Sequence, residues 1–190
     1  MKRSPIFLVV LILAAAFAGC GGSNMTSFIH EEYNFGFVER VAVIPFDNLS
    51  EDRGAGARAT NLFLAEMLAA KAFDVVEPGE VARVLAKQAT VRASELSTEQ
   101  IQAIGRELKV QALFFGIVNE SMTYRDGSAT AAKINMTVRM VETEKGETVW
   151  SSSATAGGRG FFSTLFGTGD QSSSQVTRKC VKKILGTLFD

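Results

Sequence analysis

Hydrophobic and polar positions change period along this chain, and each change marks an element. Arg40-Val-Ala-Val-Ile-Pro-Phe46 is β-branched and apolar and ends at Pro45, which cannot donate to a ladder, so it predicts a buried strand. After a polar loop, residues from about Ala57 to Lys71 read as a helix. Its apolar residues Leu62, Phe63, Leu64, Met67 and Leu68 form a stripe wide enough to predict cover on more than one side. Phe73 to Val76 is a second short strand, set parallel to the first by right-handed crossover. Pro78 opens a helix with Val81, Val84 and Leu85 at helical spacing. Ser97 and Gln100 spell a capping box, with Leu96 placed to staple onto Ile101, and Ile101, Ile104 and Leu108 line the face that follows. Val110 to Val118 is almost continuously apolar, as a central strand is. Asp126-Gly127 signals a hairpin. Beyond it Ala132, Ile134, Met136, Val138 and Met140 alternate with Lys133, Asn135, Thr137 and Arg139, a strand with one wet face. Glu144-Lys-Gly146 turns the chain into a last strand, Glu147 to Ala156, carrying Trp150; Val176, Cys180, Ile184 and Leu188 then mark a C-terminal helix. This order predicts one α/β (α+β) domain over residues 38–190, with a mixed sheet of about five strands and helices on its faces.

The first 37 residues follow a different logic. Lys2 and Arg3 precede an apolar run from Ile6 to Phe17, too short to span a bilayer, which takes about 20 apolar residues. Small residues then lead to Cys20, so residues 1–19 read as a signal peptide. Ala18-Gly19-Cys20 resembles the bacterial lipobox, with Phe17 in place of its usual leucine. That resemblance implies a lipidated Cys20 with fatty acyl (palmitate) chains as the mature first residue; the alternatives are an ordinary cleavage near Ala18 or an uncleaved apolar anchor. Two lipid signals make anchoring stable, each buried methylene contributing about 0.8 kcal/mol. Gly21 rather than aspartate follows the cysteine, which implies outer-membrane placement facing the periplasm. Residues 20–37 form the tether and N-terminal segment, and the density of Phe28, Ile29, Tyr33, Phe35 and Phe37 predicts that its second half packs along the domain.

Composition narrows the function more than it names one. Removing the signal leaves about 170 residues, enough for one well-buried domain. Twenty basic residues balance twenty acidic ones and no basic stripe is present, so nucleic acid is a poor partner. His30 is the only histidine and lies in the peripheral N-terminal segment, which leaves neither a histidine metal cluster nor an assembled triad. Gly54-Ala-Gly56-Ala-Arg-Ala59 matches a dinucleotide loop only superficially, because polar residues separate it from its strand; it reads as a helix lead-in. Glu31-Glu32 and Glu51-Asp52 lie in predicted loops and read as solvated. No catalytic residue, metal or cofactor is therefore expected. If Cys20 carries lipid, Cys180 is a single thiol, read as a buried small residue on its helix face, with a redox or interchain role as the alternative. Phe161, Phe162, Leu165 and Phe166 stand in a Gly/Ser-rich frame between the last strand and the last helix. They are the candidate partner-binding group if exposed, and ordinary core if folded back.

Three stretches carry a family resemblance: Arg40 to Ser50, Phe73 to Glu77, and Ala103-Ile-Gly-Arg-Glu-Leu-Lys-Val-Gln-Ala-Leu-Phe-Phe-Gly116, continued by Val138 to Trp150. They resemble the curli secretion lipoprotein (CsgG) family, the penicillin-binding-protein activator lipoprotein (LpoB) and the TolB amino-terminal domain. The curli channel adds two long membrane-crossing hairpins per subunit, each strand needing about 9–11 alternating residues. Here the Asp126-Gly127 hairpin joins core strands directly and the Phe161 loop is broken by Gly and Ser. The resemblance therefore implies the smaller activator type: a lipid-anchored, non-enzymatic periplasmic module whose partner is an envelope protein or a second copy of itself. The alternative is an oligomeric outer-membrane export component built as a ring.

Overall fold

The computed structural model describes residues 25–88, 92, 95–126, 129–157 and 171–189. Its strands are β1 (Met25–Ile29), β2 (Arg40–Val43), β3 (Asp47–Asn48), β4 (Asp74–Val75), β5 (Ala112–Asp126), β6 (Ala129–Glu142) and β7 (Thr148–Gly157). Its α-helices are α1 (Ala55–Ala70), α2 (Pro78–Leu85), α3 (Thr98–Leu108) and α4 (Ser173–Phe189), and Phe35–Phe37 forms one 3₁₀ turn.

All seven strands share one sheet in the order β1-β7-β6-β5-β2-β4, with β3 also on β5. β2 runs parallel to β4 and β5, as the crossover argument requires, while β5, β6, β7 and β1 pair antiparallel. β5 and β6 pair out to Asp126 and Ala129, the hairpin the sequence signals. The sheet is mixed as expected but has seven strands rather than about five. The two additions have a physical reason for escaping a pattern reading. β3 is two polar residues held on β5 after Pro45 interrupts the first strand, and β1 is five uncharged residues that pair at the edge of β7. Both are held by backbone hydrogen bonds, which any residue except proline can make.

Helices cover the two faces unequally. On one face α1 and α4 pack over Phe114, Ile134, Met136, Val138, Met140 and Trp150. Trp150 is fully buried, meets Phe114 edge-on at 6.1 Å, and donates its indole N–H to Thr187 Oγ1 at 3.2 Å. On the other face α2 and α3 cover Ala42, Ile44, Leu113, Phe115 and Val141. α1 is covered by the sheet and by α4, as its broad stripe predicts, with Phe63 and Met67 buried and Leu62 and Leu64 half-buried; Leu68 alone in the stripe is 58% exposed. Ser97 and Gln100 form the expected capping box, each side chain satisfying the other's backbone N–H. Cys180 is fully buried beside Val176 and Ile184, with Sγ 3.2 Å from the Ala154 carbonyl oxygen.

Candidate interaction site

A cleft of 780 Å³ opens where three separated segments meet. One wall is the turn from Glu32 to Phe37, the second is α3 at Gln102, Gly105 and Arg106, and the third is the β6–β7 turn at Glu142, Thr143 and Glu144. The first wall is shaped by Asn34, whose Oδ1 accepts from Gly36 N at 2.9 Å and starts the 3₁₀ turn. Tyr33 and Phe35 turn onto the core and meet edge-to-face at 5.0 Å, which leaves Phe37 at the rim, 74% exposed. The second wall sits close to the third because Gly105 lacks a side chain. A Cβ there would fall 2.4 Å from Thr143 Cβ.

The third wall is held by Glu142, which is buried and spends its charge locally. Its carboxylate accepts from Glu144 N and Lys145 N at 2.8 Å each and from Glu147 N at 3.2 Å. Gln102 Nε2 ties α3 to the same turn through the Glu144 carbonyl oxygen at 2.6 Å. Burial, and then the charges of Glu142 and Glu144, push the Tyr33 phenol above its ordinary value of 10.0, so it stays a hydroxyl donor. The cleft thus offers a phenol, amides, exposed carboxylates, one arginine and an apolar rim. Among the described residues, neither the only histidine nor any cysteine lines it.

Of the residues singled out from sequence, Cys20 and the Phe161, Phe162, Leu165, Phe166 group lie outside the described residues. His30 is half-buried between β1 and the cleft segment, its backbone N–H donating to the Val149 carbonyl at 2.9 Å. Gly54 is the N-cap of α1 and Ala55 to Ala59 are its first residues; Gly56 is there because its backbone passes the Phe46 carbonyl, where a Cβ would come within 2.7 Å. Asp52, read as solvated, instead ties the loop down, accepting from Arg58 Nη2 at 2.5 Å and Ser121 Oγ at 3.0 Å. Among the described residues no group of His, Cys, Asp and Glu could hold a metal ion. Sequence reading missed the cleft itself. The one available signal was the aromatic density of residues 28–37.

Residues 30–155 match the family described as peptidoglycan-synthase activator LpoB, a span that includes every residue of the cleft. The chain belongs to the LpoB family. That match supports the LpoB part of the sequence resemblance and does not extend to the curli or TolB parts. No curated protein matches the chain. Among solved structures, the PelC dodecamer from Paraburkholderia phytofirmans is 17% identical at a TM-score of 0.57, covering 85% of this chain and 95% of that one. Lipoprotein GNA1162 from Neisseria meningitidis is 16% identical at a TM-score of 0.58, covering 80% of this chain and 98% of that one. At such identities the likeness shows the fold alone.

Proposed function

We propose that this LpoB-family chain is a non-enzymatic envelope regulator, anchored to the outer membrane through a lipidated Cys20, facing the periplasm and activating a peptidoglycan synthase by docking on it. The observation that carries this reading is the family match over residues 30–155, which spans β2 to β6, most of β7 and the whole cleft. Docking would use the cleft with Phe37 as its apolar anchor, since a large exposed aromatic beside hydrogen-bonding groups is the usual make-up of a binding hot spot. Phe161, Phe162, Leu165 and Phe166 are proposed as a second contact. Confinement by the anchor raises the effective concentration of the module at its partner. The test measures glycan-strand synthesis by the source organism's purified synthases with and without the protein. Stimulation that Phe37→Ser weakens about tenfold or more in apparent affinity supports the reading; no stimulation of any synthase at saturating protein removes it.

A second reading, an export component built as a ring, is favoured by the fold shared with the PelC dodecamer. Mass measurement in detergent separates the two: a ring of many copies supports export, and a monomer or dimer excludes it.

A further inference from the structure

Among the described residues β1 is a free edge of the sheet, and all five of its residues are exposed. Its register on β7 sets Met25, Ser27 and Ile29 on the Trp150 side of the sheet and Thr26 and Phe28 on the Ser151 side. Apolar side chains therefore flank the edge on both sides, with Met25 37%, Phe28 50% and Ile29 50% exposed. Edge strands are usually protected by charge, proline or a bulge. β1 has none of these: its five residues pair with β7 in unbroken register, and the sequence is uncharged from Gly21 to Ile29, with the first charges at Glu31 and Glu32.

The length of chain before β1 identifies what covers it. Five residue steps separate Cys20 from Met25, and an extended chain spans at most about 3.6 Å per residue, so Met25 lies within about 18 Å of an anchored sulfur. We propose that β1 rests edge-on in the lipid surface that holds Cys20, with Met25, Phe28 and Ile29 at the headgroup–acyl boundary; this rests on the lipidation reading above. The outward N–H and C=O groups of an edge strand need water or headgroup partners, which stops the strand at the boundary, roughly 5–10 Å deep, and keeps it out of the hydrocarbon centre. Exposed Glu31 and Glu32 set the other limit of the contact. A short tether and an embedded edge together fix which side of the domain faces the membrane, a constraint that lipid on a free linker does not impose.

The test places a tryptophan on either edge of the sheet, Phe28→Trp on β1 or Asp74→Trp on β4, in the full lipoprotein reconstituted into phosphatidylcholine vesicles. Acyl chains brominated near the carbonyl end serve as quencher. Native Trp150 is fully buried and supplies a common background. The added emission of Phe28→Trp is expected to be about halved by the brominated chains, at the depth the boundary allows, and that of Asp74→Trp to be unchanged. The mass of the N-terminal peptide is measured on the same samples. An acylated peptide with equal quenching at both sites overturns the placement of β1 and leaves the anchor standing; an unacylated peptide overturns both. Unquenched, blue-shifted emission at position 28 that grows with protein density means a second copy covers the strand, and overturns the proposal as well.

Discussion

Two glycines in helices make opposite predictions when replaced by alanine, and the contrast tests the packing behind the cleft. Gly105 in α3 faces Thr143, and an added Cβ would meet Thr143 Cβ at 2.4 Å, Cγ2 at 2.7 Å and Oγ1 at 2.9 Å. Carbon atoms pack best at about 3.5–4.0 Å, so the new methyl overlaps by about 1 Å or more. Thr143 cannot simply rotate away, because its Oγ1 donates to the Val110 carbonyl at 2.8 Å and its N–H to that of Gln111 at 3.0 Å. Overpacking of this kind costs about 1–3 kcal/mol, while the gain in helix propensity is about 1 kcal/mol. The net expectation for Gly105→Ala is a loss of about 0–2 kcal/mol, centred on a fall in Tm of roughly 2–4 °C for a domain of this size. Gly79 in α2 has nothing within 4 Å of its would-be Cβ. Gly79→Ala should therefore raise stability by about 0.5–1 kcal/mol through propensity and unfolded-state entropy. Thermal melts and urea titrations of the two variants beside the parent decide the matter. A Gly105→Ala protein as stable as Gly79→Ala would refute the account of how α3 meets the β6–β7 turn.

Three further outcomes are expected. Asp52 is held below its ordinary 3.8, chiefly by the hydrogen bond from Arg58, against a smaller opposing effect of burial. A depressed carboxylate contributes stability that is full above 3.8 and is lost as pH falls through its lower folded value; Asp52→Asn should flatten that acid-side decline in urea midpoint, and an unchanged slope would show that the Arg58 contact does not matter. Cys180, pushed up to about 12 by burial, should resist alkylation in the native protein and react in denaturant. Only one thiol per chain should be counted there if Cys20 carries lipid, and a count of two would sink the anchor. Ser97→Ala removes the capping box of α3 and should cost about 1 kcal/mol, seen as a drop in Tm of roughly 2–4 °C.

Much of this molecule could be read residue by residue because its signals are short-ranged. The capping box at Ser97 and Gln100 lies within one turn. The alternation from Ala132 to Met140 shows within a single strand, and all five of its core positions are buried. Cys180 as a packed face residue follows from spacing alone. The width of the α1 stripe foretold cover by both the sheet and α4 but not that Leu68 stays exposed: a helix sequence records which residues are apolar, not where its neighbours end.

The amino-acid order by itself determined the layered α+β plan, its central strand and its C-terminal helix, because hydrophobic period and end caps are properties of neighbouring residues. Tertiary structure alone decided the two added strands, the cleft and the exposed edge. Tyr33, Arg106 and Glu144 come from three segments far apart in the chain and meet only once α3 and the β6–β7 turn dock through Gly105. β1 joins the sheet through backbone groups that carry no side-chain signature, so its place at the rim is set by the unpaired side of β7 rather than by its own sequence.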